Sequence, residues 1–133
     1  MTAASVPRGL DAWEDALQRV LSSVDRELES RHGGKWPLHP ARPEAGVAAN
    51  PQYDGLFRVT AAFTAGFGSK IGPGYVLRAE IATLSPVLQA DREAIEEEAV
   101  ALVREGLARE FPGKDLAVDK DGDVWKIHGD LSL

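Results

Sequence analysis

The apolar positions of the chain change period along its length, and each period names an element. Leu10, Trp13, Leu17, Val20, Leu21, Val24 and Leu28 follow steps of three and four, which puts all seven on one stripe of an α-helix. The spacing predicts a helix over 10–31 that stops at Gly33-Gly34, where glycine accepts the left-handed conformation of a helix C-terminus. Residues 56–67 alternate with period two. Phe57, Val59, Ala61, Phe63, Ala65 and Phe67 fall on one face and Arg58, Thr60, Ala62 and Thr64 on the other, the signature of a half-buried strand. Residues 75–84 repeat the alternation, with Tyr75, Leu77, Ala79 and Ile81 against Arg78 and Glu80. A glycine-rich hairpin connection, 68–74, joins the two.

Ser85-Pro86 reads as the start of a second helix, since serine caps and proline suits the first helical position. Its stripe is Leu88, Ile95, Ala99, Leu102, Val103 and Leu107. Glu93, Glu96, Glu97, Glu98 and Glu105 form the wet face, and Phe111-Pro112-Gly113 ends it. Leu116 and Val118, then Trp125 and Ile127, alternate inward around Asp121-Gly122, a two-residue turn signal. The order is α-β-β-α-β-β. The expected fold is an α+β two-layer sandwich, a mainly antiparallel four-stranded sheet with two amphipathic helices on one face. Residues 1–8 are expected to be a flexible N-terminus and 9–133 a single domain. Within it, 35–53 forms an irregular loop, because Pro37, Pro40, Pro43 and Pro51 prevent both helix and ladder pairing. Trp36 and Leu38 are placed to pin that loop by packing.

Composition narrows the function classes. A net charge of −6 argues against the phosphate backbone of nucleic acid as the main partner. Between residues 55 and 84 the only charges are Arg58, Lys70, Arg78 and Glu80, so the acidic excess lies elsewhere, above all over 91–110. The absence of cysteine excludes disulfides, thiolate nucleophiles and cysteine zinc sites. No apolar run has the length of a signal-peptide core or approaches the roughly 20 residues of a membrane span, so a soluble, cytoplasmic chain with no membrane contact is expected.

Catalytic and binding motifs fail on spacing. Gly66, Gly68, Gly72 and Gly74 surround Lys70, but a phosphate loop needs a Gly-Lys-Ser/Thr followed at once by a helix, and here a strand follows. The expectation is a flexible hairpin loop, with Lys70 and Ile71 exposed to a partner as the sharper reading. Asp119, Asp121, Asp123 and Asp130 imitate a calcium loop, yet Val124 stands where its glycine is required, which favours a solvated turn rim. His32, His39 and His128 form no i, i+4 pair, and the serines lack a nucleophile-elbow context. No cofactor, metal or catalytic residue is assigned.

The remaining candidates are the outward sheet residues Arg58, Arg78, Glu80, Lys126 and His128, together with Lys70 and Ile71. A joint site of His128 with Arg78 and Glu80 is allowed by strand parity. The outward face carries no aromatic side chain on which a base would stack, which counts against RNA. The expected partner is a protein, either a second copy or another chain, and the expected function is a non-enzymatic interaction module, an adaptor or chaperone-like subunit. In size, acidity and mixed helix–strand order the whole chain resembles the type III secretion chaperones, which implies a protein client. No motif carries that resemblance, and the third strand it requires before the second helix is missing from the pattern. The alternative is a small ligand-binding domain or enzyme whose site is assembled from scattered residues.

Overall fold

A computed structural model describes residues 9–131, with side chains described from Asp11 onward. The expected flexible segment 1–8 and the side chain of Leu10 lie outside the described residues. Helix α1 (Gly9–His32) leads through a long connection with one 3-10 turn (Pro51–Tyr53) to strand β1 (Phe57–Thr64). Then follow β2 (Gly74–Ile81), helix α2 (Gln89–Glu110), β3 (Leu116–Asp121) and β4 (Val124–Gly129). All pairings are antiparallel and the strand order is β1-β2-β4-β3, so β1 and β3 are the edges. Only two strands separate the helices, and the extra strand of the type III chaperones is absent from that interval.

Both helices lie on one face. The α1 stripe from Trp13 to Leu28 is buried with Phe57 and Val59 of β1, Tyr75 and Leu77 of β2, Val118 of β3, Ile127 of β4, and Ile95, Ala99, Val100, Val103 and Leu107 of α2. The helices run antiparallel, since Arg19 pairs with Glu110 at one end and Arg31 and His32 with Glu98 at the other. They pack tightly at Gly106, where a Cβ would stand 2.6 Å from Cγ1 of Val20. The end of α1 is built as expected: Gly33 N–H donates to the Glu29 carbonyl, and Gly34 takes φ 90°.

Four boundaries differ from the sequence reading, each for a local reason. β1 ends at Thr64 rather than 67, because Gly66 turns at positive φ against the Gly72 backbone with no room for a side chain. Phe63 and Phe67 therefore pass the end of the helix layer and are 60% and 96% exposed. β2 ends at Ile81, beyond which the Ala82 carbonyl accepts from His39 N–H of the proline loop. α2 begins at Gln89, not at Ser85-Pro86. The Ser85 N–H instead donates to Thr83 Oγ1 in a local turn, Leu88 occupies the cap position without a side-chain bond, and its own side chain is exposed. The final hairpin turns on Gly122-Asp123, one residue later than read, with Gly122 at φ 66°.

Candidate functional site

The residues nominated from sequence divide into two groups. Arg58 and Glu80 lie directly opposite each other on β1 and β2, and Arg78 lies opposite Thr60, all exposed on the outward face. Lys126 shares the parity of that face but is withdrawn from it. The β1–β2 connection folds over β4, and Lys126 Nζ, beneath it, donates to Asp121 Oδ2 at 2.7 Å, to the Gly72 carbonyl at 2.9 Å and to Ser69 Oγ at 3.2 Å. The Lys126 and Asp121 side chains are 3% and 7% exposed. Asp121 also accepts from the backbone N–H groups of Lys70 and Ile71. The glycine loop is thus tied at both of its nominated residues; the Lys70 side chain stays exposed and Ile71 is half-buried. His128 bonds Asp119 at 2.8 Å. The β2–β4 register places it level with Gly74, four residues from Arg78, so His128, Arg78 and Glu80 form no common site.

A second feature is the outer edge of β1. Phe57 carbonyl and Val59 N–H point away from β2, since the first accepts from Arg42 and the second donates to Asp25. By the alternation of an antiparallel ladder, Ala61 and Phe63 turn their backbone groups to the same side. No partner for them is present among the described residues. This open half-edge carries no charge from Val59 to Ser69. Phe63 packs edge-on against Tyr75, with ring centroids 5.5 Å apart, beside an apolar cleft of about 340 Å³ lined by Trp13, Glu14, Phe63, Tyr75 and Leu131. Tyr75 donates weakly to Glu14 at 3.4 Å, and the buried Trp13 Nε1 has no partner of good geometry among the described residues.

A third feature was not foreseen. The proline loop closes over the C-terminal half of α1 and leaves a cavity of about 280 Å³ lined by Asp25, Arg26, Glu29, Ala45, Gly46, Ala48, Pro51 and Asp54. Three carboxylates meet there, each held by backbone N–H groups through one oxygen. Asp25 Oδ2 accepts from Val59 at 3.2 Å and Glu29 Oε1 from Leu56 at 2.8 Å. Asp54 Oδ2 accepts from Gly46 at 3.0 Å and Ala48 at 2.8 Å. Arg42 spends its guanidinium on the carbonyls of Gln52, Asp54, Gly55 and Phe57, and none of its bonds goes to these carboxylates. Burial pushes the Asp25 carboxyl up to about 7, against the Val59 hydrogen bond that favours its ionised form; Glu29 adds to the rise and Arg42 opposes it. The signal in the sequence was Asp25 itself. It stands between Leu21 and Leu28 at helical spacing, an acid inside the apolar stripe.

A family model described as an uncharacterised protein matches residues 8–129. A protein of Borreliella burgdorferi, also described as uncharacterized, is 42% identical over 117 residues, covering 88% of this chain and 91% of that protein. No solved structure matches the chain.

Proposed function

The chain belongs to the family of uncharacterised proteins whose model it matches, and we propose that it is a small non-enzymatic protein-interaction module that joins a second copy of itself, strand to strand, along the free half of β1. The observation that carries this reading is the uncharged, unpaired edge at Ala61 and Phe63, next to a Phe63 ring that is 60% exposed. An open strand edge offers main-chain donors and acceptors that only another extended chain satisfies. The absence of charge from Val59 to Ser69 permits a copy as that chain, because two molecules of net charge −6 meet there without local repulsion.

The edge is also self-complementary. With a two-fold axis at Ala62, Ala61 of each copy faces Phe63 of the other, small against large, in an isologous contact. Asp25 and Arg42 already occupy the edge at Val59 and Phe57, which limits the new ladder to the second half of the strand. Pairing makes one continuous sheet whose outward face bears Arg58, Arg78 and Glu80 from both copies, the surface an adaptor or chaperone-like subunit would present. A cytoplasmic setting belongs to the same reading, and the acidic charge supports a protein rather than a nucleic-acid partner. No helix among the described residues is long and apolar enough to cross a membrane.

Sedimentation velocity from micromolar to millimolar concentration tests the reading. The expected result is a monomer–dimer equilibrium that Phe63→Lys abolishes while circular dichroism stays unchanged. A monomer at every concentration, or a dimer indifferent to Phe63→Lys, refutes it. The alternative reading, a ligand-binding domain with a site built from scattered residues, is favoured by one observation, the cavity of Asp25, Glu29 and Asp54.

A further inference from the structure

We infer that the apolar cleft between the N-terminal part of α1, the end of β1 and the start of β2 binds a small neutral aromatic amide. Its ring lies against Phe63 and Tyr75, and its amide edge lies between the Tyr75 hydroxyl and the Glu14 carboxylate. This goes beyond strand pairing and does not rest on it, because the polar ends belong to β2 and α1 and not to the open edge. The cleft, of about 340 Å³, has the size of a small-molecule site, and Trp13, Phe63, Tyr75 and Leu131 make its wall apolar and aromatic. Phe63 is 60% exposed there, while Tyr75 is 6% exposed. The two rings meet edge-on, 5.5 Å between centroids at 69°, and form a corner that accepts a flat ring.

Three polar groups converge on this cleft, and none is well bonded. Trp13 is 3% exposed, and its Nε1 is, among the described residues, the one buried side-chain polar atom without a hydrogen bond. A buried donor left unmade is costly. The Tyr75 hydroxyl reaches Glu14 Oε2 only at 3.4 Å, where a well-made O–H···O bond spans about 2.5–3.0 Å. That contact is the only hydrogen bond of the Glu14 side chain among the described residues. Burial pushes the Tyr75 phenol above its usual range and the Trp13 N–H opposes the rise, so the indole is directed at the hydroxyl without the geometry of a bond. A carboxamide presents an acceptor and a donor on one edge. Set between Tyr75 and Glu14, it accepts a hydrogen bond from the hydroxyl and donates its N–H to the carboxylate, two bonds in place of one long one. The Tyr75 oxygen, drawn off Glu14, then accepts from Trp13 Nε1. Charge selects a neutral molecule: an anion meets the like charge of Glu14, and a cation brings its charge against the unmade indole donor.

The test titrates the whole chain with benzamide, against toluene, which has the ring without the polar edge, and benzoate, which has acceptors without an N–H. Nuclear magnetic resonance of the Trp13 indole proton and of the Phe63 and Tyr75 amides reports occupancy. The expected result is saturable one-to-one binding of benzamide with a downfield move of the Trp13 indole proton, and binding of toluene and benzoate weaker by at least about tenfold. Tyr75→Phe keeps the ring and loses only the hydroxyl; it should weaken benzamide at least about tenfold and leave toluene unchanged. Glu14→Gln removes a charge at an exposed position and should narrow the gap between benzamide and benzoate. Absence of saturable benzamide binding overturns the inference. So does binding of toluene or benzoate as tight as that of benzamide, or a folded Tyr75→Phe variant that holds benzamide as tightly as the original chain. Strand pairing is read by sedimentation without benzamide, so either result can fail alone.

Discussion

Lys126 Nζ and Asp121 Oδ2 lie 2.7 Å apart on the face of the sheet that carries no helix, buried by a loop whose other end is more than fifty residues away in sequence. The pair converts a glycine-rich connection into a tied one. Hydrogen bonding from Lys126 holds the Asp121 carboxyl below its ordinary 3.8. A carboxyl depressed in the folded state contributes stability that is present above its unfolded value and lost as pH falls through the folded one. Acid below about pH 4 should therefore loosen this loop first. Lys126→Met should produce the same loosening at neutral pH. Hydrogen exchange at the Lys70 and Ile71 amides, which donate to Asp121, checks both, and unchanged protection would show that the pair does not hold the loop.

The Asp25 carboxyl has the opposite sign. Its folded value is raised from 3.8 to about 7, so the folded state holds a proton that the unfolded state has released. Stability from this group is full below about pH 4 and falls as pH rises toward 7, after which it levels off. Undiminished, the shift corresponds to about 4 kcal/mol, an upper bound that solvent reaching the open cavity lowers. Asp25→Asn should raise the thermal midpoint at pH 8 and change it little at pH 4. Denaturation curves at the two pH values check the sign.

Gly106 shows where packing outweighs propensity. Alanine in a helix interior is favoured over glycine by about 1 kcal/mol. Here the added Cβ meets Val20 Cγ1 at 2.6 Å, and a β-branched side chain has little freedom to yield. Gly106→Ala should lower stability by a net 1–3 kcal/mol, roughly the cost of overpacking a tight core. Urea unfolding of the variant decides which effect wins.

Leu17 lies in the middle of the α1 stripe and is buried. Leu17→Ala should destabilise by roughly 2–5 kcal/mol. An unchanged thermal midpoint would refute the placement of the stripe in the core.

The fold was legible where its causes are local. The three-four spacing of α1 and the alternation of Phe57 and Val59 depend on a few neighbouring residues, and the helix and the strand formed where the pattern placed them. Phe63 and Phe67 continue the same alternation without being core, because alternation records which face a residue takes and not how far the helices extend over it. Lys126 looked like an exposed cation because its cover comes from Ser69 and Gly72. The acidic cavity was the least legible feature. Asp25 bonds Val59 across 34 positions and Glu29 bonds Leu56 across 27, contacts that exist only once the proline loop has closed.

The central claim is that β1 pairs with β1 of a second copy. The chain has no cysteine, so a single introduced thiol reports that contact without competition. In the proposed register Ala62 faces Ala62 at a non-hydrogen-bonded position, about 4.5 Å between Cα atoms, within the range a disulfide accepts. Mild oxidation of Ala62→Cys should give a covalent dimer, while Ala101→Cys on the exposed side of α2 should stay monomeric. An Ala62→Cys protein that cross-links no faster than Ala101→Cys would contradict the account.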